Sequence, residues 1–432
     1  MKNSVLNFYI VLLFVALSME VCSQENEIIR GPYLQLATQS SIIVRWKTST
    51  AQNSVIRYGL DSTKLNNRIE LSIQTTDHEI EITQLEADTR YYYNLGEFGY
   101  SSDRFFETLP TKGKLKAYSF LVLGDCGTGY SEQTAVKNAV IREKGSHFDG
   151  VLLLGDNAYQ SGRDKDYQSN FFRYDEIFSN SVIWPAPGNH DYNNHLPFSK
   201  NPAYYDIFNC PTNGEAGGVP SRTEKYYSYD FGNIHFISID SYDESTKQVG
   251  EMYQWLKKDL ESNTQDWTIV YWHHPPYSKG SHNSDNTLLN RKMAQMRKRI
   301  LPLLESFYVD LVLNGHSHTY ERSMLMHGHY GKSETLDSTE VINDESGSLE
   351  KDEPYVKGGE RSKGTVYCVM GSSGKVSRVH RTWPHPIMYA YDNKNPGAII
   401  LEIEGRKLSF EYLTSNGTIG DRVTIIKEDA RP

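Results

Sequence analysis

The chain has 432 residues, enough for two or three domains of ordinary size. Its hydrophobic content of 38% suits a globular protein with a large core, and its 30 tyrosines favour β structure. The formal net charge of -9 argues against a nucleic-acid coat or a protein held on an anionic membrane surface. An acidic protein can still bind phosphate where a metal ion reverses the local field.

Residues 1–23 have the pattern of a secretory signal peptide. Lys2 gives a positive start, and the apolar core from Phe8 to Leu17 is too short to span a bilayer. Val21-Cys22-Ser23 offers small residues before a cleavage point, so we expect export to the periplasm or the extracellular space. Lipid attachment at Cys22 is the alternative. No later segment reaches about 18 uninterrupted apolar residues, so no membrane span is predicted.

Residues 27–110 alternate short apolar runs with turn signals, which is typical of an antiparallel β-sandwich. The predicted strands are residues 41–46, 54–58, 78–82 and 89–95. Their spacing, Trp46 and the segment from Leu85 to Tyr91 resemble a fibronectin type III domain. No cluster of His, Cys or acidic residues in this block has ligand spacing, so we expect a packing or positioning module. Residues 109–113 are the predicted linker.

From about residue 114 the chain repeats one pattern five times: an apolar run that ends in a polar motif. Near-continuous Val, Ile and Leu runs are typical of parallel strands buried on both faces. The motifs are Gly124-Asp125-Cys126-Gly127, Gly155-Asp156-Asn157-Ala158-Tyr159, Gly188-Asn189-His190-Asp191, His273-His274-Pro275-Pro276 and Gly315-His316-Ser317-His318. Ligands of open α/β sheets bind beyond the carboxyl ends of the strands, so we expect these motifs to meet in one crevice.

Helices between the strands would provide the crossovers of an α/β layered sheet. They are predicted at residues 131–144, 252–260 and 288–307, with a further strand at residues 234–239. Each motif alone is more often an ordinary turn. Five in succession present two Asp, a Tyr, an Asn and at least three His, all of them metal-ligand types. The sequence therefore predicts a metal site, with glycines that let the backbone turn sharply beside an ion.

The five motifs together resemble the signature of the calcineurin-like metallophosphoesterases. The position of Tyr159, three residues after Asp156, resembles the motif of the purple acid phosphatase branch of that superfamily. The resemblance implies an α/β layered metallophosphoesterase catalytic domain, a β-sandwich flanked by helices, at residues 114–425. It also implies that an all-β fibronectin III-like sandwich, the N-terminal domain of larger members of the branch, precedes it at residues 24–110.

The same resemblance implies a centre of two metal ions. The ligands of an iron(III) ion would be Asp125, Asp156, Tyr159 and His318. The ligands of a divalent ion, Zn, Fe or Mn, would be the bridging Asp156 with Asn189, His273 and His316. The catalytic residues facing the substrate phosphate would be His190 and His282. Carboxylate and phenolate oxygens are hard donors that suit a trivalent ion, whereas imidazole and amide donors suit a divalent one.

Two positions depart from the pattern of the family, and the role of a third position stays open. Asn283 stands where some relatives carry a second histidine after His282, and Asp191 stands where many carry Glu. The first change would alter leaving-group protonation, and the second is expected to matter little. His274 follows the expected ligand His273, and because successive side chains diverge we expect it to face away, although an exchange of roles stays open.

The implied function is an exported acid phosphatase that hydrolyses phosphate monoesters by attack of a metal-bound hydroxide. Two ions about 3.5–4 Å apart can stabilise both the attacking and the leaving oxygen. An imidazolium that protonates the leaving group would favour mildly acidic pH. A phosphodiesterase or pyrophosphatase with the same metal site is one alternative, and a non-catalytic metal-containing binding protein is another. The expected partners are small-molecule phosphate esters.

Two further features lie outside the motifs. Cys126, Cys210 and Cys368 remain after cleavage, and this odd number argues against a disulfide scaffold, although the pairing of Cys210 with Cys368 stays open. The acidic stretch at residues 330–363 is predicted to be a solvated insertion, with a lid over the site as the alternative.

Overall fold

The N-terminal apolar alternation forms an all-β domain in the computed structural model, which describes residues 27–96, 104–192 and 202–428. The predicted signal peptide lies outside these residues. The strands of the domain are β1 (Ile28–Gln35), β2 (Ile42–Gly59), β3 (Asn67–Ile82), β4 (Arg90–Leu95) and β5 (Phe105–Glu107). Trp46, Tyr93 and Phe106 are buried in its core. Predicted strands 41–46 and 54–58 are parts of the single strand β2.

The long hairpin of β2 and β3 runs through the whole domain. β1 pairs with the first half of β2, and β4 pairs with its last residues, so the described strands form one continuous sheet. The register of β2 against β3 shifts between Lys47 and Gln52. Such irregularities bend a strand and increase its twist. The bend lets the single strand β2 pair with β1 along its first half and with β4 at its last residues.

The apolar runs after residue 114 form the strands of two larger sheets. In chain order they are β6 (Ala117–Leu123), β7 (Gly150–Leu153), β8 (Ile183–Pro185), β9 (Tyr227–Phe231), β10 (Ile234–Ser238), β11 (Trp267–Trp272), β12 (Leu311–Asn314), β13 (Tyr320–Met326), β14 (Val341–Asn343), β15 (Tyr355–Lys357), β16 (Thr365–Met370), β17 (Met388–Asp392), β18 (Gly397–Glu404), β19 (Lys407–Thr414) and β20 (Ile419–Lys427).

The two sheets divide these strands between them. The seven-stranded sheet has the order β15-β20-β19-β18-β6-β7-β8, and the eight-stranded sheet has the order β14-β13-β16-β12-β11-β10-β9 with β17 beside β13. They pack face to face: the ring of Phe120 lies 4.9 Å from that of Phe236, and Trp184 stacks on Tyr229 at 3.8 Å. The domain is therefore a β-sandwich, and its core continues into the N-terminal domain.

Helices cover the outer faces of the sandwich. They are α1 (Ser131–Lys144), α2 (Asp164–Asp166), α3 (Asp175–Phe178), α4 (Tyr204–Ile207), α5 (Glu251–Ser262), α6 (Arg291–Gln295) and α7 (Leu301–Ser306). A π-helical turn, Met296–Ile300, joins α6 to α7, and another, Tyr167–Phe171, follows α2. Leu256 of α5 and Leu304 of α7 belong to a second core on the outside of the eight-stranded sheet. The predicted fold class is confirmed.

The acidic stretch is built into the sandwich more than predicted. Its two short strands join the sheets, with β14 beside β13 and β15 beside β20. The rest includes the 3-10 turns Ser333–Thr335, Ser338–Glu340, Leu349–Lys351 and Gly359–Lys363. The amide of Ser333 donates to Asp285 at 3.0 Å, three residues beyond His282. The stretch thus borders the loop that carries His282.

The three cysteines in the described part of the chain are buried and free, so Cys210 and Cys368 are not paired. Cys126 packs as a small core residue, as expected. Among the described helices, none combines the length and the apolar character that a bilayer crossing needs.

Candidate metal centre

The five sequence motifs come together where the two sheets meet. β6, β7 and β8 run parallel in the seven-stranded sheet, and their carboxyl ends carry the first three motifs. β11 and β12 run parallel in the eight-stranded sheet and carry the other two. The site is therefore assembled from both layers of the sandwich, which places donors on two sides of one crevice.

One group of donors is rich in oxygen. The Tyr159 hydroxyl lies 2.8 Å from Asp125 Oδ1, 3.1 Å from Asp156 Oδ2 and 3.2 Å from His318 Nε2. His318 Nε2 is in turn 3.4 Å from Asp125 Oδ1. The two carboxylates and Tyr159 are buried, whereas His318 is half-buried. These four side chains are the ones predicted to hold iron(III).

The second group is richer in nitrogen. His273 Nε2 lies 3.2 Å from Asn189 Oδ1, 3.2 Å from Asp156 Oδ2 and 3.2 Å from His316 Nδ1. Asp156 therefore contacts both groups. The carbonyl of Leu154 accepts a hydrogen bond from His273 Nδ1 at 3.0 Å, which leaves Nε2 directed at the shared donors.

The backbone is strained where the two groups meet. Asp125, Asp156 and His316 have φ of 55°, 52° and 67°, in the left-handed region that residues with a Cβ rarely adopt. Close packing of the motifs requires this geometry. A Cβ at Gly315 would lie 2.5 Å from the Asp125 carboxylate, and one at Gly188 would collide with Asp156. Such strain concentrates at functional sites and persists only where the surrounding fold imposes it.

The electrostatics of the donors favour a bound cation. Burial and the carboxylates of Asp125 and Asp156 raise the pKa of Tyr159 well above its usual range. Burial alone would lower the pKa of His273, but Asp156 and Asp125 raise it to about 9. A metal cation relieves both effects, because it compensates the carboxylates and stabilises the phenolate. The donor set therefore fits two ions that share Asp156.

His190 and His282 flank these donors. The amide of His190 donates to Asp156 Oδ1 at 2.8 Å, and its Nδ1 donates to the carbonyl of Gln160 at 2.6 Å. The ring of His190 lies 4.3 Å from that of Tyr159. His282 stacks on His316 with ring centroids 3.9 Å apart, and its Nδ1 lies 3.2 Å from Asn290 Oδ1. Burial lowers the pKa of His282.

The structure thus brings together all nine residues predicted for the site, and their roles stay a prediction. The expectation for His274 is not met, since it does not face away. Its ring lies 4.3 Å from that of His316, and Ser241 Oγ lies 2.8 Å from its Nδ1. Ligand atoms of His273, His274 and His316 lie within 4.8 Å of one another. His274 therefore lies against the divalent-ion donors, with its Nδ1 paired to Ser241.

A sixth strand and the loop after it are predicted from the sequence at residues 364–374, but no role in the site is assigned to them. β16 is parallel to β12 and is followed by Gly371-Ser372-Ser373-Gly374, the same succession of apolar strand and glycine-led loop. In this loop Ser377 Oγ lies 2.9 Å from His318 Nδ1, and the amide of Ser377 donates to the His318 carbonyl at 3.1 Å. Ser377 therefore orients a predicted ligand. The repeated strand-end pattern is the signal that could have placed this loop at the site.

Known proteins share this organisation. The family model for calcineurin-like phosphoesterases matches residues 118–320, and the model for the purple acid phosphatase N-terminal domain matches residues 29–108. Purple acid phosphatase 15 of Arabidopsis thaliana is 30% identical over 277 residues, which are 57% of this chain and 49% of the relative. Acid phosphatase type 7 of Danio rerio is 26% identical over 433 residues, covering 91% and 90% of the two chains.

Among solved structures, a purple acid phosphatase from yellow lupin (Lupinus luteus) seeds superposes with a TM-score of 0.70 at 19% identity, covering 92% of this chain and 75% of that one. At this identity the likeness concerns the fold. The alignments with several plant relatives span about half of their length, 49% and 53% in two cases. The alignment with the Danio rerio relative covers both chains nearly end to end.

Proposed function

The chain belongs to the purple acid phosphatase branch of the calcineurin-like phosphoesterases, and on that premise we propose that it is an exported acid phosphatase that hydrolyses phosphate monoesters with two metal ions. We assign residues 1–23 to a signal peptide, residues 24–110 to the N-terminal domain and residues 114–425 to the catalytic domain. Small phosphate esters are the proposed substrates.

The observation that carries this proposal is the pair of donor groups that share Asp156. Asp125, Tyr159 and His318 would complete the site of an iron(III) ion, because hard oxygen donors suit a trivalent cation. The second site would take a divalent Zn, Fe or Mn ion, with the additional donors Asn189, His273 and His316. When bound, the ions supply Lewis acidity and lower the pKa of a coordinated water, so that a nucleophile is available without a protein base.

His190 and His282, both half-buried, are the side chains of this chain that can contact the phosphate directly. His190 is held by its Nδ1 bond to Gln160, and His282 is held by its stacking on His316 and its contact with Asn290. Fixed imidazoles at the edge of the donor set can donate hydrogen bonds to phosphoryl oxygens as charge develops. Either ring can deliver a proton to the departing alkoxide.

The first experiment combines metal analysis with a visible absorption spectrum of the purified protein and of Tyr159→Phe. We expect two metals per chain and a charge-transfer band that disappears in the variant, because a tyrosinate bound to iron(III) is the source of such a band. Tyr174→Phe is the matched control, since this buried tyrosine lies outside the donor set and its hydroxyl has no hydrogen-bond partner in the described part of the chain. Two metals without the band would contradict the iron(III) assignment, and absence of metals would contradict the site.

The second measurement concerns the reaction. Rates are compared on a phosphate monoester and a phosphate diester that release the same p-nitrophenol. We expect faster hydrolysis of the monoester, and His282→Ala should slow it by about 10²-fold or more, which is the usual contribution of a general acid. Faster hydrolysis of the diester would contradict the monoesterase proposal while leaving the metal site intact.

A further inference from the structure

A basic segment, residues 375–381, lies beside the proposed metal centre. Lys375 Nζ is 4.4 Å from the centroid of the Tyr159 ring, over its face. The Tyr159 hydroxyl belongs to the oxygen-rich donor group. The ammonium group is therefore within reach of a substrate whose reacting phosphate lies at that group. Arg378 and Arg381 follow on the same segment and are exposed.

The loop that carries this segment is fastened to the motifs of the site. The amide of Ser373 donates to the Gly124 carbonyl at 3.2 Å, and Thr128 Oγ1 donates to the Gly374 carbonyl at 3.0 Å. Ser377 is bonded to His318, and the amide of His380 donates to the carbonyls of Lys279 and Gly280 at 3.1 and 3.0 Å. The backbone on both sides of Lys375 is thus ordered before any substrate arrives, which reduces the entropic cost of binding.

The charge of this region is opposite to that of the whole chain. Residues 361–391 contain Arg361, Lys363, Lys375, Arg378 and Arg381 but no Asp or Glu, whereas the net charge of the chain is -9. Lys375, Arg378 and Arg381 form no ion pair with a carboxylate in the described part of the chain. Three cations without a carboxylate partner, on a loop fixed beside the site, can form charge-assisted hydrogen bonds to an anionic ligand.

We propose that Lys375, assisted by Arg378 and Arg381, binds a second phosphate group on the leaving-group side of the substrate. The inference rests on the proposed phosphomonoesterase function and narrows its substrate class to phosphoesters that carry a further phosphate. One phosphate reacts at the metal centre, and the other is held by the basic segment. Lys375 is a substrate-binding residue in this proposal and takes no part in bond breaking.

The test compares fructose 1,6-bisphosphate with fructose 6-phosphate in the metal-loaded enzyme, in Lys375→Met and in Lys375→Arg. For the bisphosphate we expect Lys375→Met to raise KM about tenfold with kcat nearly unchanged, because binding common to ground and transition states is lost. For the monophosphate the variant should change KM less than about twofold, and Lys375→Arg should keep most of the preference. Arg378→Gln with Arg381→Gln should also weaken the preference.

Lys407→Met is the matched control, because Lys407 lies opposite Glu404 in the β18–β19 hairpin, at the end of the seven-stranded sheet remote from the strand ends of the site. Metal content and the visible spectrum of each variant show that the centre is loaded. Equal effects of Lys375→Met on both substrates, or no effect on either, would overturn the inference while the phosphatase function stands. Failure of the wild type to hydrolyse either compound would overturn the proposed function, and this inference with it.

Discussion

At the residue scale, Asp191 shows how much the proposed metal site depends on a side chain outside its donor set. It is 1% exposed, and it accepts hydrogen bonds from the amides of Asn157 and Gly188 at 3.1 and 2.8 Å. The hydroxyl of Tyr167 donates to it at 2.6 Å. Asp191 therefore joins the second motif to the third, which the sequence alone did not indicate.

We predict that Asp191→Asn lowers the free energy of unfolding by about 1–3 kcal/mol. The reason is that the NH₂ group of the new side chain cannot accept the hydrogen bonds that the second carboxylate oxygen now accepts. Equilibrium urea unfolding of the metal-free protein measures this directly. Asp206→Asn on the exposed side of α4 is the control and should change stability by less than about 0.5 kcal/mol. Equal effects of the two substitutions would show that the network around Asp191 contributes nothing.

At the element scale, the strands of the site could be predicted because each is a short apolar run that ends in a polar motif. Their assignment to two sheets could not, since it depends on pairings between distant segments, such as β6 with β18. The predicted helix at residues 288–307 is interrupted by the π-helical turn Met296–Ile300. Pro302 explains this, because it cannot donate the hydrogen bond that a continuous α-helix requires there.

The junction of β9, β10 and α5 contains a buried histidine between two carboxylates. His235 Nδ1 lies 2.8 Å from Asp230, and its Nε2 lies 2.8 Å from Asp259. Burial would lower the pKa of His235, but the two carboxylates raise it to about 9. Because the pKa of His235 is higher in the folded than in the unfolded state, its protonation stabilises the folded state. This stabilisation is complete below pH 6.5, about the unfolded pKa, and is lost as the pH rises through about 9.

We therefore predict that the free energy of unfolding falls between pH 6 and pH 10 by a few kcal/mol more in the wild type than in His235→Gln. Urea unfolding at a series of pH values gives the difference between the two proteins, which cancels other titrating groups. His147→Gln, at a half-exposed histidine beside Phe105, serves as control. Parallel curves for the wild type and His235→Gln would refute the prediction.

At the scale of the whole molecule, the N-terminal domain is packed firmly against the catalytic domain. Arg30 is buried and pairs with Asp164 at 2.8 Å, and the Tyr93 hydroxyl donates to the Ser179 carbonyl at 2.7 Å. Leu34 of β1 forms a parallel bridge with Val182 beside β8, the strand that leads to Asn189. The domain thus supports one of the strands that carry the site, as the positioning role inferred from its sequence requires.

We expect the two domains to unfold in a single calorimetric transition. Tyr93→Phe should destabilise that whole transition by about 1 kcal/mol through loss of the buried hydroxyl bond, and tryptophan fluorescence and circular dichroism should shift together. Tyr92→Phe, at a half-buried neighbouring residue, should have little effect. Two separate transitions, only one of them moved by Tyr93→Phe, would show that the domains are energetically independent.

Each proposed ion would take donors from both sheets of the sandwich. Asp125, Asp156, Tyr159 and Asn189 follow strands of the seven-stranded sheet, whereas His273, His316 and His318 follow strands of the eight-stranded one. Bound ions would therefore tie the two layers together at their rim, and ligands that bind only the folded state stabilise it by mass action. In surroundings poor in metal, the supply of ions would then govern how long each molecule survives proteolysis as well as how fast it works.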